Sequence, residues 1–192
     1  IAEWCSTRRL DDPEHARRAL ADCEAAARDP AAVPAVAFVR GRLAIQLGDR
    51  EALEGRDPRP WYVRAQEDLE ASMSRHGEPA ASHHLGIVLV KLGECDERAA
   101  IDASGRYREA AALLEESLAH GPPDPVTYDL RGVALSHLGK SEQAAGRDPR
   151  PTLREAIRCY DRAIERAPDR GDAYSNRGIA WKNLGQAEAV RG

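Results

Sequence analysis

The sequence predicts an all-α fold, a solenoid of antiparallel helix pairs, and three observations lead there. Leu-Gly pairs recur at 47–48, 92–93, 138–139 and 184–185, in steps of 45, 46 and 46 residues. A second glycine precedes the glycine of each pair by seven residues, at Gly41, Gly86, Gly132 and Gly178. Trios spaced by four and then three residues follow the first three pairs: Ala65, Leu69 and Ser72; Ala110, Leu114 and Ser117; Ala156, Tyr160 and Ala163.

Each of these marks an element. Glycines seven apart lie on one side of a helix, as do the members of each trio. The first alanine of a trio always lies 17 residues after the Leu-Gly glycine. Five residues after each trio comes a breaker, Gly77, Pro122 or Pro168, and glycine and proline both end helices. Each unit therefore reads as helix A, connector, helix B and turn. The expected organisation is a partial helix pair over 1–33, repeats over 34–79, 80–124 and 125–170, and a further helix A over 171–192. In the first segment Ala19, Cys23 and Ala26 keep the helix B spacing, and Asp12 before Pro13 is a good helix start.

Composition agrees. Hydrophobic residues make up 42% of the 192 residues, enough to bury a core, while aromatics are only 5% and alanine is abundant, which favours closely packed helices. No segment shows the strict alternation of a strand. The net charge of −4, with acids and bases interspersed, leaves no basic footprint for nucleic acid or an anionic membrane surface. No apolar stretch approaches the roughly 18 residues of a membrane span. Cys5, Cys23, Cys95 and Cys159 form no C-x-x-C pair and lie near no histidine at ligand spacing, so reduced thiols, a cytoplasmic location and no metal or cofactor are expected. Of 28 basic residues only Lys91, Lys140 and Lys182 are lysine, a skew expected of a GC-rich bacterial gene. The first residue is Ile1, which suggests a piece of a longer protein.

The units resemble the tetratricopeptide repeat family, whose pattern W-x2-L-G-x2-Y, A-x3-F and P recurs over about 34 residues. Tyr174, Arg177, Gly178 and Trp181 follow it in the last unit, and Tyr128, Arg131, Gly132, Leu135, Ala156, Tyr160 and Pro168 in the one before. Ser82, Leu85, Gly86, Leu89, Ala110, Leu114 and Pro122 follow it in the second full unit; Ala37, Arg40, Gly41, Ala44, Ala65 and Leu69 follow it most weakly, with Gly77 for proline. The resemblance covers residues 34–192 and implies a right-handed superhelix whose A helices line a groove for an extended or helical peptide. Some members clamp a C-terminal carboxylate with lysine and asparagine. The central stripe here, Arg42, Ile87, Val133 and Ile179, has no asparagine, so that activity is not expected.

The departure from the family lies between the helices. The period is 46, about 12 residues longer than the family's. Two of the inserts share an identical hexapeptide, Gly55-Arg56-Asp57-Pro58-Arg59-Pro60 and Gly146-Arg147-Asp148-Pro149-Arg150-Pro151, while the middle one has Ile101-Asp102-Ala103-Ser104-Gly105-Arg106. Helix A is expected to run a turn or two past each Leu-Gly pair, and Thr152 with Glu155 to form a capping box opening helix B.

The candidate groove residues follow i, i+4, i+7, i+8 spacing. They are Phe38, Arg42, Ile45 and Gln46; His83, Ile87, Val90 and Lys91; Asp129, Val133, Ser136 and His137; and Ser175, Ile179, Lys182 and Asn183. Two readings stand for the aliphatics among them, ligand contact or packing against a neighbouring helix. Two also stand for Arg56, Arg59, Arg147 and Arg150: basic tips for an acidic partner, or side chains of proline-stiffened connectors. His83 and His84 point in different directions and have no ligand partner placed by sequence. No nucleophile elbow, phosphate loop or dinucleotide fingerprint is present. The expected function is a non-catalytic scaffold for a protein or peptide. Self-association, or service as the regulatory or substrate-recruiting segment of a multidomain kinase, protease or ATPase, are the alternatives.

Overall fold

The computed structural model describes residues 13–27, 33–76 and 79–189. Asp12, Cys5 and Gly77, singled out above, lie outside them. Among the described residues there are eight helices and no strand: α1 (Pro13–Ala26), α2 (Val33–Leu53), α3 (Arg59–His76), α4 (Pro79–Arg98), α5 (Ser104–His120), α6 (Pro125–Ala144), α7 (Arg150–Arg166) and α8 (Gly171–Ala189). The chain divides into two compact units, Ile1–Ala81 and Ser82–Gly192.

In the first unit Ala16, Leu20 and Cys23 of α1 form a core with Val36, Leu43 and Leu47 of α2, and Trp61 packs against its edge. Helix α3 then closes on α2 through the two glycines. A methyl group at Gly41 would sit 2.7 Å from Leu69 Cγ, and one at Gly48 would sit 2.5 Å from Tyr62 Cε1. Real side chains do not approach so closely, so only glycine admits these knobs.

The second unit repeats the arrangement twice. Gly86 receives Leu114 and Gly93 receives Tyr107, joining α4 to α5; Gly132 receives Tyr160 and Gly139 receives Leu153, joining α6 to α7. The offset is always 28 residues at the first glycine and 14 at the second, as an antiparallel hairpin of fixed register requires. Tyrosine and leucine exchange ends in the third hairpin. The A-type helices also meet one another: Thr127 Oγ1 of α6 lies 2.9 Å from His83 Nδ1 of α4, and Asn176 Nδ2 of α8 donates to Asp129 Oδ1 of α6 at 3.3 Å.

Helices α2, α4 and α6 each run five residues past the Leu-Gly glycine, so part of the extra length is one more turn of helix A. All three then end in the same turn. Gly55, Ala100 and Gly146 take positive φ, at 73°, 58° and 72°. Arg56 N–H donates to Glu51 O, Ile101 N–H to Asp96 O and Arg147 N–H to Glu142 O, capping the last carbonyls. Two residues past the positive-φ position an aspartate, Asp57, Asp102 or Asp148, accepts the backbone N–H of Arg59, Ser104 or Arg150. The middle insert thus folds like its neighbours despite lacking the hexapeptide. The expected capping box is corrected by the same contact: α7 opens at Arg150, so Thr152 and Glu155 lie inside it and Asp148 stands at its mouth.

Ala100 holds a conformation in which a Cβ is crowded by its own carbonyl. Ala100→Gly is therefore expected to stabilise the second unit by about 1 kcal/mol, less the extra freedom glycine gives the unfolded chain. A urea titration in which Ala100→Gly lowers the midpoint would contradict that reading of the turn.

Candidate binding surface

Helices α2, α4 and α6 are each held on one side by their B-type helix and, in the second unit, α4 meets α6 and α6 meets α8. That leaves a narrow arc for solvent, and the predicted groove residues divide according to it. Ile45 of α2, Val90 of α4, and Asp129 and Ser136 of α6 are buried. These four lie away from solvent. Ser136 faces α7, with its Oγ 3.1 Å from Tyr160 Oη, and Asp129 faces α8. In these helices the buried arc is wider than the glycine stripe and takes in these four positions.

The remaining candidates reach the surface to different degrees. In the first unit Phe38, Arg42 and Gln46 are partly buried, and the Arg42 guanidinium lies 5.8 Å from the Phe38 ring centroid. In the second unit Ile87, Lys91, Val133, His137 and Asn183 are partly buried, and Ser175 and Lys182 are exposed. Ile179 is 50% exposed. Ile87, Val133 and Ile179 therefore hold one equivalent position on α4, α6 and α8, each at least partly open to solvent.

The two histidines among the candidates are engaged within the fold. His83 sits beside Thr127 at the start of α6, and burial pushes its pKa down against the opposing pull of Asp124. His137 Nδ1 lies 3.0 Å from Glu97 Oε2, and its ring stacks on Tyr107 with centroids 4.8 Å apart. Burial raises the Cys159 thiol pKa, while Arg131 Nη1 donates to its sulfur at 3.3 Å. Cys23, Cys95 and Cys159 are buried. Among the described residues no cluster of histidine, cysteine, aspartate or glutamate is placed to hold a metal, and no helix is long and apolar enough to cross a membrane.

Asp129 gives a pH-dependent expectation. Burial raises its carboxyl pKa, only partly offset by Asn176 and Arg170, with Arg170 Nη2 3.5 Å away. A folded-state pKa above the unfolded value of about 3.9 penalises the fold once the carboxyl ionises. The penalty is absent below the unfolded pKa and sets in as pH rises through the folded one. Asp129→Asn keeps a polar partner for Asn176 and is expected to melt higher than wild type at pH 7. The gain should vanish near pH 3.5, and melting curves at the two values check it.

The basic loops are largely self-neutralised. Arg56 is ion-paired with Glu51 and Glu54 of the preceding turn, and these contacts raise its pKa. Arg150 forks onto Asp148, with Nε to Oδ1 at 2.9 Å and Nη2 to Oδ2 at 2.8 Å. Arg59 is partly buried, while Arg147 is exposed and its charge helps depress the pKa of Asp102, after the hydrogen bonds from Ser104.

No protein-family model matches the chain, and no curated protein is significantly similar to it.

The exposed aromatics of α8 escape the groove pattern. Tyr174 is 44% and Trp181 55% exposed, on the side of the helix that bears Gly178 and Gly185. Their signal was in the sequence, as the fourth copy of a stripe that a helix B covers in the other three.

Proposed function

We propose that the chain is a non-catalytic scaffold of the tetratricopeptide kind, holding a protein or peptide segment along its A-type helices. In this reading the helix pairs stack as a right-handed superhelix. The observation that carries it is the series Ile87, Val133 and Ile179. Three consecutive A-type helices place a β-branched aliphatic at one equivalent position and leave it at least partly open. Apolar side chains elsewhere in these helices are mostly buried, and an aliphatic row with polar neighbours suits an apolar ligand face. The polar candidates have structural partners: His83 meets Thr127, whose hydroxyl is committed to Asp124 at the start of α6, Asp129 meets Asn176 and His137 meets Glu97. The self-neutralised loops weaken the case for an acidic partner and leave Arg147 as the main exposed basic tip.

The test is selection of displayed random peptides on the full chain, followed by affinity measurements on variants. Ile179→Asp is exposed, so it should fold, and it is expected to weaken the selected peptides at least tenfold, about 1.4 kcal/mol. Ile87→Asp and Val133→Asp should weaken them as much or more, with circular dichroism checking that each is folded. Peptides that bind all three variants as they bind the wild type would refute the groove.

A further inference from the structure

A chain of hydrogen bonds runs from the cap of α6 to His83 of α4, through Thr127. Asp124 caps α6 and accepts on Oδ2 both the Thr127 backbone N–H, at 2.9 Å, and the Thr127 hydroxyl, at 2.7 Å. Thr127 is buried, and its Oγ1 lies 2.9 Å from His83 Nδ1. Counting protons along this chain fixes the imidazole. Burial works against ionisation of Asp124, but hydrogen bonds from the Thr127 side chain and from the backbone of Thr127 and Val126 outweigh it and hold its pKa below the usual carboxylate value. Asp124 is therefore a carboxylate, which only accepts. The single hydroxyl proton of Thr127 goes to it. Thr127 Oγ1 can then meet His83 only as an acceptor, so His83 Nδ1 carries the ring's proton and donates.

A neutral imidazole protonated on Nδ1 keeps a bare lone pair on Nε2. Among the described residues Nε2 has no hydrogen-bond partner; the other contact of the ring is with His84, edge-on at 5.1 Å between centroids. The two nitrogens lie across the ring from each other, so Nε2 is turned away from Thr127. His83 is partly exposed and stands one turn before Ile87, on the same face of α4. The equivalent positions of the other A-type helices offer different chemistry. Phe38 has no acceptor, Asp129 is buried and bonded to Asn176, and Ser175 donates its hydroxyl to Gly171 O at 3.0 Å. A fixed, unfilled acceptor beside the aliphatic row is thus particular to α4.

We propose that His83 is a specificity-determining contact of the peptide groove, its Nε2 accepting a hydrogen bond from a donor of the ligand. The inference rests on the groove reading above and adds the chemistry of one subsite. The donor is a backbone N–H of an extended segment, or a side-chain amide or hydroxyl, about one helical turn from the apolar side chain seated on Ile87. A segment that brings an acceptor there is rejected, because two lone pairs would face each other with no proton between them. Protonation removes the subsite, since an imidazolium carries N–H on both nitrogens and cannot accept. Burial holds the His83 pKa below the ordinary histidine value, against the pull of Asp124 from the turn before α6. Among the described residues Asp124 is the one charged group that acts on the ring; α5, which also packs on α4, brings none, and His84 on the same helix is the other titratable neighbour. Neutral His83 therefore prevails at pH 7, and binding is lost as pH falls through its folded-state pKa.

The test has a ligand-free arm and a binding arm. Long-range nitrogen–proton NMR of the full chain at pH 7 is expected to find the His83 proton on Nδ1. The binding probes are peptides selected by display on the full chain at pH 7 and kept only if Ile179→Asp weakens them. Their affinity is expected to fall as pH drops below the His83 midpoint that NMR reads on the free chain, by up to about tenfold per pH unit. His83→Gln supplies an acceptor that does not titrate, and should abolish that fall. His83→Phe keeps a flat ring without an acceptor, and should cost about three- to tenfold in affinity at pH 7, the worth of one hydrogen bond. Circular dichroism checks that both variants are folded. Peptides that lose affinity with Ile179→Asp but bind His83→Phe as they bind the wild type would overturn the proposal and leave the groove standing. So would a proton found on Nε2, or a pH profile that His83→Gln does not change. If Ile179→Asp weakens no selected peptide, the groove itself falls and this contact falls with it.

Discussion

Gly132→Leu is expected to destabilise the second unit by about 2–3 kcal/mol, at the upper end of the usual cost of overpacking. A single methyl at this position would already lie 2.6 Å from Tyr160 Cε1 and 2.8 Å from its Cζ. The tyrosine cannot retreat, because it is buried and its hydroxyl lies within hydrogen-bonding distance of Ser136. Leucine must therefore push α7 off α6 along the whole crossing. Two controls separate this effect from a general intolerance of substitution. Glu116→Leu changes an exposed position of α5 and should move stability by less than about 0.5 kcal/mol. Gly178→Leu changes the equivalent glycine of α8, where nothing lies within 4 Å, and should be neutral or stabilising. Urea midpoints for the three variants give the comparison. Equal midpoints for Gly132→Leu and Gly178→Leu would mean that the crossing at Gly132 is not close.

The glycine register made most of this fold legible in the sequence. A pair of glycines seven residues apart followed by large side chains 14 and 28 residues on fixes the hairpin, its direction and its packed face together. Only one of the two knobs stood out beforehand. Leu69, Leu114 and Tyr160 sit inside the trios, whereas Tyr62, Tyr107 and Leu153 precede them and differ in kind. The kinship of the middle connector was not legible, because its residues differ from those of its neighbours while its backbone does not. Ala100 adopts the glycine conformation under the pull of two backbone hydrogen bonds, a context that residue type alone does not carry.

The candidate surface was less legible. Ile87 and Val90 look alike on a helical wheel, yet one is partly open and the other buried. The difference depends on how wide an arc the neighbouring helices cover, which is set by helix packing and not by local pattern. The arginines of the hexapeptide loops, open to two readings in the sequence, were hard to read for a related reason. The charge of Arg56 is met by glutamates a turn earlier in the helix, and that of Arg150 by an aspartate within its own loop. A count of basic residues in the loop therefore overstates its field.

Leu114→Ala is expected to cost about 3–4 kcal/mol, within the range for fully buried leucines. Leu114 is completely buried, and its Cγ would lie 2.6 Å from a methyl group built on Gly86. Truncation leaves the notch at Gly86 facing empty space, with little chance of collapse because the second crossing, Gly93 against Tyr107, still holds the helices apart. This geometry also predicts a compensation. Gly86→Ala alone should destabilise by about 1–2 kcal/mol, since its methyl is aimed at the leucine. Once Leu114 is alanine, the same methyl enters the cavity, and alanine favours helix over glycine by about 1 kcal/mol. The double variant should therefore be more stable than Leu114→Ala alone, with a coupling of about 1–3 kcal/mol between the sites. A double-mutant cycle in urea measures it. Additive effects would show that Leu114 does not occupy the notch at Gly86, and the notch-and-knob account of all three hairpins would fall with it.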